Sequence, residues 1–239
     1  MKELVNQMKL QKDVYVIGLG TIGGLFVFGT ILHEIIAAMD DHITEVFCMG
    51  STMSLFGMFV AMLFGVVMHM VYVFNYAISM GRTRKRFLPA YTASVFFTAL
   101  VLEAVLVLMH FAERLRLGLM YPDLRIDDPA ANVLHWNILL AAALFLTALG
   151  VCSASLVIRF GKIALWLIWM GWTAVCVALP HVIEMLFAHM DNAVVKVVFR
   201  VAGWFFGLGG AAVPALAFCL GAVLLGVSFL LLRRQQVSL

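Results

Sequence analysis

Charge is scarce in this chain. Asp, Glu, Lys and Arg supply 12% of its 239 residues, against roughly 25% in soluble domains, while 64% are hydrophobic and the mean hydropathy is +1.05. That deficit excludes a soluble fold, because so much apolar surface has to meet lipid rather than water. Cysteine is sparse too. Cys48, Cys152, Cys176 and Cys219 are scattered without a CxxC pair, so their spacing implies neither a zinc site nor a disulfide framework, and they are expected as small apolar packing residues. No GxxxxGK[ST] loop occurs, so ATP-driven work would need a partner. His33 and Glu34 begin HEIIA, but Ala37 stands where a zinc protease requires its second histidine, which removes that reading.

What the sequence does contain is a series of apolar runs over 14–38, 51–76, 89–111, 136–158, 163–187 and 204–232, each of membrane-spanning length. They predict an all-α polytopic membrane protein, a single transmembrane domain over 1–239 with about six helices and too little remaining chain for an added soluble domain. Six crossings put both termini on one side. With that side cytoplasmic, the inner connections hold Lys2, Lys9, Lys12, Arg82, Arg84, Lys85, Arg86, Arg159, Lys162, Arg233 and Arg234. The outer ones hold Arg114, Arg116, Arg125, Lys196 and Arg200. The excess of basic residues inside agrees with the positive-inside rule. Most acids, among them Asp40, Asp41, Glu45, Glu113, Asp123, Asp127, Asp128 and Asp191, lie outside.

The connections carry further expectations. Residues 1–13 gather Leu4, Val5, Met8 and Leu10 on one helical face with Lys2, Lys9 and Lys12 able to reach headgroups, the pattern of an amphipathic interfacial segment. The following apolar run is too long for a signal peptide and lacks a clean cleavage pattern, so this segment is expected to be retained. Residues 112–135 form a long outer loop. Over 181–203, Pro180, His181, Glu184, His189, Asp191, Lys196 and Arg200 break up membrane-grade sequence, and two readings stay open: a re-entrant hairpin at the mouth of a pathway, or an ordinary outer loop after a long fifth helix.

Gly18, Gly20 and Gly23 spell GxGxxG, with Asp40 further on, but no parallel sheet follows to make a dinucleotide site. The glycines are expected instead to let another helix approach, with GxxxG spacing at Gly20 and Gly24 and again at Gly203 and Gly207. Ionisable residues inside apolar runs carry more weight, since a carboxylate near a helix centre costs about 2.5–3.5 kcal/mol on insertion scales. Glu103 is the clearest case. Glu34 and Glu184, with His33, His110 and His181, fall toward outer helix ends and are candidates for a vestibule that binds a cationic substrate or relays protons. The alternative is that each snorkels to headgroups or makes one interhelical hydrogen bond. His69 lies nearer the inner face. Trp166, Trp169 and Trp172 recur every three residues and read as a packing or lipid-facing stripe rather than a ligand box.

Between the second and third runs, Arg82, Arg84, Lys85 and Arg86 interrupt the apolar chain in SMGRTRKRF. Ser79, Gly81, Thr83, Arg84, Lys85 and Phe87 match a Ser-x-Gly-x-Thr-Arg-Lys-x-Phe pattern, and in these residues the chain resembles small bacterial ABC-2-type permease subunits. The detailed match covers under a tenth of the chain, with a moderately specific motif; the long outer connection is a departure whose role the family pattern does not settle. The resemblance implies a permease in the bacterial cytoplasmic membrane, both termini cytoplasmic, that pairs with a second copy or a homologous permease. It also implies two copies of a separate P-loop ATP-binding subunit carrying ATP and Mg, coupled through the connection over 77–90, formed as a cytoplasmic coupling helix. Export of a drug-like, peptide or lipid substrate is likewise inherited from the resemblance. Independently of it, Tyr76, Phe87 and Tyr91 are candidate interfacial anchors, and the basic side chains suit an acidic partner or lipid phosphate.

This chain is then expected to hold no cofactor or metal, to have no catalytic site of its own and to bind no nucleic acid. The alternative is an ATP-independent proton-coupled carrier or channel that uses the intramembrane Glu and His residues. A membrane-embedded enzyme would need a convergent catalytic set, and the candidates lack a recognised spacing.

Overall fold

Apolar runs in a medium without water must satisfy their backbone amides internally, which leaves the helix as the economical solution, and helix accounts for nearly all of this structure. A computed structural model of the protein describes residues 12–39, 45–79, 83–188, 196–197 and 212–233. In chain order these form α1 (Lys12–Met39), β1 (Glu45–Phe47), α2 (Met49–Ser79), α3 (Arg84–Met120), β2 (Arg125–Asp127), α4 (Pro129–Val133), α5 (Trp136–Phe160), α6 (Lys162–Ala188) and α7 (Ala212–Arg233). Five helices, α1, α2, α3, α5 and α7, contain stretches long and apolar enough to cross a membrane, and α6 adds a shorter one over Lys162–Ala178. The expected plan of about six apolar helices is thus present at the level of length and composition.

Helix α5 is the hub, packing against α2, α3, α6 and α7, while α1 packs along α2. Its buried face is small, with Ala143, Gly150 and Ala154, so neighbouring backbones come close. A Cβ on Gly150 would lie 3.0 Å from the Met62 carbonyl oxygen, inside the π-helical turn Ala61–Gly65 that widens α2 midway. Helix α5 ends at Gly161, whose φ of 66° suits glycine alone at little cost. Larger side chains from α2 and α3, including Met62, Met70, Phe74, Phe87, Tyr91 and Leu106, fill the core. Trp172 stacks on Phe59 at 4.6 Å and Trp169 tilts against Phe64 at 5.1 Å, so this part of the tryptophan stripe packs α6 onto α2.

The glycine contacts differ from the GxxxG expectation. Gly20 and Gly24 have open space beside them, whereas Gly18 sits against Leu102 and Gly29 against the backbone of Met49 and Gly50. The reason is rotational register: the face of α1 that meets α2 and α3 is defined by Gly18, Ile22, Gly29 and His33. Gly203 and Gly207 lie outside the described residues. A Cβ at residue 29 would lie 2.7 Å from the Met49 carbonyl oxygen. Gly29→Ala should therefore cost about 1–3 kcal/mol by overpacking, read as a lowered unfolding temperature in detergent; an unchanged temperature would show that α1 is not seated there.

Other departures concern the connections. Residues 84–90, expected within a separate coupling helix, are the start of α3 itself, and residues 112–120, expected as outer loop, are its end. The polar residues there misled the reading because Glu113, Arg114 and Arg116 have partners across the fold. The short parallel pairing of β1 with β2, in register Glu45 to Arg125 through Phe47 to Asp127, is too brief to leave a period-two pattern. Residues 181–188 continue α6. The rest of the expected 181–203 hairpin, apart from 196–197, and residues 1–11 of the interfacial segment lie outside the described residues, while Lys12 and Asp13 begin α1.

Candidate functional site

Helices α2 and α3 form a long antiparallel hairpin with one basic end and one end rich in paired polar groups. At the basic end, Ser79 closes α2 and donates its hydroxyl to the Tyr76 carbonyl at 2.8 Å. Extended Thr83 precedes α3. Gly81 and Arg82 lie outside the described residues, as do the side chains of Arg84, Lys85 and Arg86. The first turn of α3 nevertheless reads Arg84, Lys85, Arg86 and contains no acid. Basic residues in the first turn of a helix in general oppose the positive end of its dipole, a local cost of about 0.3–1 kcal/mol each when exposed.

Phe87 follows directly and is 1% exposed. It meets Phe74 edge-on at 5.6 Å and stacks on Tyr91 at 5.4 Å, and Tyr91 stacks in turn on His69 at 5.8 Å. The Tyr91 hydroxyl lies 3.1 Å from His69 Nδ1 and donates to the Val66 carbonyl at 3.4 Å, immediately after the π-helical turn. Phe87 and Tyr91, expected at the interface, are core residues. Four residues apart on a helix, they share one face, and that face is turned to α2. Tyr76 alone of the expected anchors is exposed.

Glu103 lies roughly midway along α3, 4% exposed, with no hydrogen-bond partner for Oε1 among the described residues. It is not gathered with the other acids and histidines of the expected vestibule.

Those residues divide into neighbouring clusters at the far end of the hairpin. Glu34 accepts a hydrogen bond from Arg116 at 2.7 Å and another from the Tyr121 hydroxyl at 3.3 Å, while His33 Nδ1 lies 3.7 Å from it. Burial, then the Glu34 carboxylate, raises the Tyr121 hydroxyl above its usual range, with Arg116 opposing. One turn earlier on α3, Glu113 (2% exposed) accepts from the amides of Gly50 and Ser51 at 2.8 and 2.7 Å and from the Ser51 hydroxyl. Those amides are among the orphan donors of the first turn of α2, where Cys48 at the N-cap supplies no side-chain acceptor. A further turn back, His110 Nε2 lies 3.3 Å from Asp128 Oδ2, with Arg114 at 3.8 Å from the same oxygen. Buried Cys48 adjoins them. Desolvation, reinforced by Asp128 and Glu113, pushes its thiol up to about 12 against the opposing Arg114.

His181 is exposed on α6, and the Glu184 side chain lies outside the described residues. Sequence reasoning missed Glu113, Arg116, Tyr121, Asp128 and Cys48 as members of this end. One signal was available: α2 opens on Cys-Met-Gly-Ser with no good acceptor at its cap, so its amides had to find a distant one. Comparison with protein-family models, with curated proteins and with solved structures finds no match to this chain.

Proposed function

We propose that this chain is the membrane-spanning permease subunit of an ATP-driven transporter, coupled through its basic connection to a separate P-loop ATPase. What supports the reading is the junction of the cationic first turn of α3 with the buried stack Phe74, Phe87, Tyr91 and His69. Three cations at a helix N-terminus oppose the local dipole, a conflict relieved by an anionic partner. Directly behind them the buried aromatic stack leads to the Val66 carbonyl at the end of the π-helical turn of α2, so a force applied at the connection would pass toward the middle of the hairpin. ATP-driven closure of a partner would in this way tilt α2 and α3 and alternate the exposure of a pathway. Dimerisation, export and a drug-like, peptide or lipid substrate belong to the same proposal through the resemblance.

The test is purification from the native host in mild detergent with identification of copurifying chains. A stoichiometric P-loop ATPase is expected, and the charge-reversed Arg84→Glu, Lys85→Glu double variant, with Phe87 kept, should insert normally yet lose the ATPase or its transport-coupled turnover by roughly tenfold. Wild-type protein that is pure and silent toward ATP would sink the proposal.

Buried Glu103, whose Oε1 has no hydrogen-bond partner among the described residues, favours a second reading, an ATP-independent proton-coupled carrier or channel. Proton flux through liposomes holding this chain alone, abolished by Glu103→Gln, would select it.

A further inference from the structure

The strand pairing does more than tie two connections together. By the register of β1 on β2, with the Cys48 amide donating to the Asp127 carbonyl at 3.2 Å, it sets Cys48 beside Asp128, and α3 brings His110 to both. One sulfur, one imidazole nitrogen and one carboxylate oxygen then lie within 4.8 Å of one another, and Cys48 and His110 are buried. We infer that Cys48, His110 and Asp128 form a site for one divalent transition-metal ion of the zinc class.

Metal–ligand bonds of about 2.0–2.3 Å at tetrahedral angles hold ligand atoms roughly 3.3–3.8 Å apart. His110 Nε2 and Asp128 Oδ2 are already 3.3 Å apart, and the sulfur needs a shift of roughly 1 Å to join them. The carboxylate is divided in a useful way. Its Oδ1 accepts the Ala131 amide at 3.0 Å and caps α4, which fixes the group, while buried Oδ2 makes ion-pair contacts with His110 and Arg114 but has no hydrogen-bond partner among the described residues. Buried polar atoms of native proteins rarely stay unsatisfied without a reason such as a missing ion.

Charge agrees with this reading. Asp128, Glu113 and Asp127 act on Cys48 against Arg114, the one opposing cation among the described residues, whose side chain is largely exposed. A dication with a deprotonated thiol offsets part of this negative excess. A mixed sulfur, nitrogen and oxygen donor set favours zinc and its transition-metal neighbours over magnesium or calcium, which prefer oxygen alone. Three protein ligands leave a fourth position for water. The ion would join the start of α2, the last third of α3 and the connection leading to α5, three segments otherwise linked by hydrogen bonds and packing.

Full-length protein with a tag free of histidine, stripped by chelator in detergent, is titrated with Co²⁺ alone. One equivalent should bind with a thiolate-to-cobalt charge-transfer band, be displaced by Zn²⁺ and raise the unfolding temperature. Cys48→Ser should abolish the band and Asp128→Asn should weaken binding roughly tenfold or more, while Cys152→Ser, at a buried cysteine elsewhere, keeps both. Saturating Co²⁺ that gives wild-type protein no such band overturns the site without recourse to any variant. A band that survives Cys48→Ser overturns it too.

Discussion

A Glu113→Ala variant should lose about 3–5 kcal/mol of stability, because it takes a charged acceptor away from buried donors. The carboxylate accepts the Gly50 and Ser51 amides and the Ser51 hydroxyl, so its removal strands three donors at a buried helix start. Hydrogen bonds to charged groups contribute about 1.5–3 kcal/mol each, and unsatisfied donors cost their full desolvation. Water cannot easily replace the lost acceptor, since Gly50 and Ser51 are both buried. Glu113→Gln keeps one acceptor oxygen and should recover part of the loss. Reversible unfolding in detergent checks both, and an alanine variant as stable as the wild type would mean that α2 finds its cap elsewhere.

The second large effect is expected at Phe87. Phe87→Ala should cost about 3–5 kcal/mol, because it opens a cavity between Phe74 and Tyr91 in the middle of the α2/α3 packing. Phe87→Leu should retain most of the packing and cost much less. The same unfolding measurement reads the effect, and a loss below 1 kcal/mol for the alanine variant would place Phe87 outside the core. This result bears on function as well. Phe87 stands in the motif that resembles a coupling element, so any transport defect of Phe87→Ala mixes lost stability with lost coupling. Charge reversal at Arg84 and Lys85 separates the two, since it leaves the aromatic stack intact.

The α3 segment shows where sequence reading succeeds and where it stops. Its apolar run was readable because hydropathy is local and additive along the chain, and a stretch over 89–111 announces a helix of membrane length by itself. Its ends were not. Glu113, Arg114 and Arg116 read as loop charges, because nothing near them in sequence neutralises them; their partners Glu34, Gly50, Ser51 and Asp128 come from other elements. Phe87 and Tyr91 show the same limit. Flanked by basic residues, they read as interfacial aromatics, and only the rotation of α3 against α2 turned them inward.

Composition and the spacing of apolar runs therefore determined the helical, apolar character of the chain and the position of its basic connection in sequence, since each depends on the transfer of neighbouring residues from water. The tertiary structure alone decided which polar groups meet. Glu113 caps a helix through amides 62 and 63 residues away in sequence, and Cys48 reaches His110 and Asp128 because two three-residue strands pair in one register. Such contacts are set by helix rotation and strand register, which depend on packing across the whole bundle, so the pattern of residues along the chain carries no local trace of them.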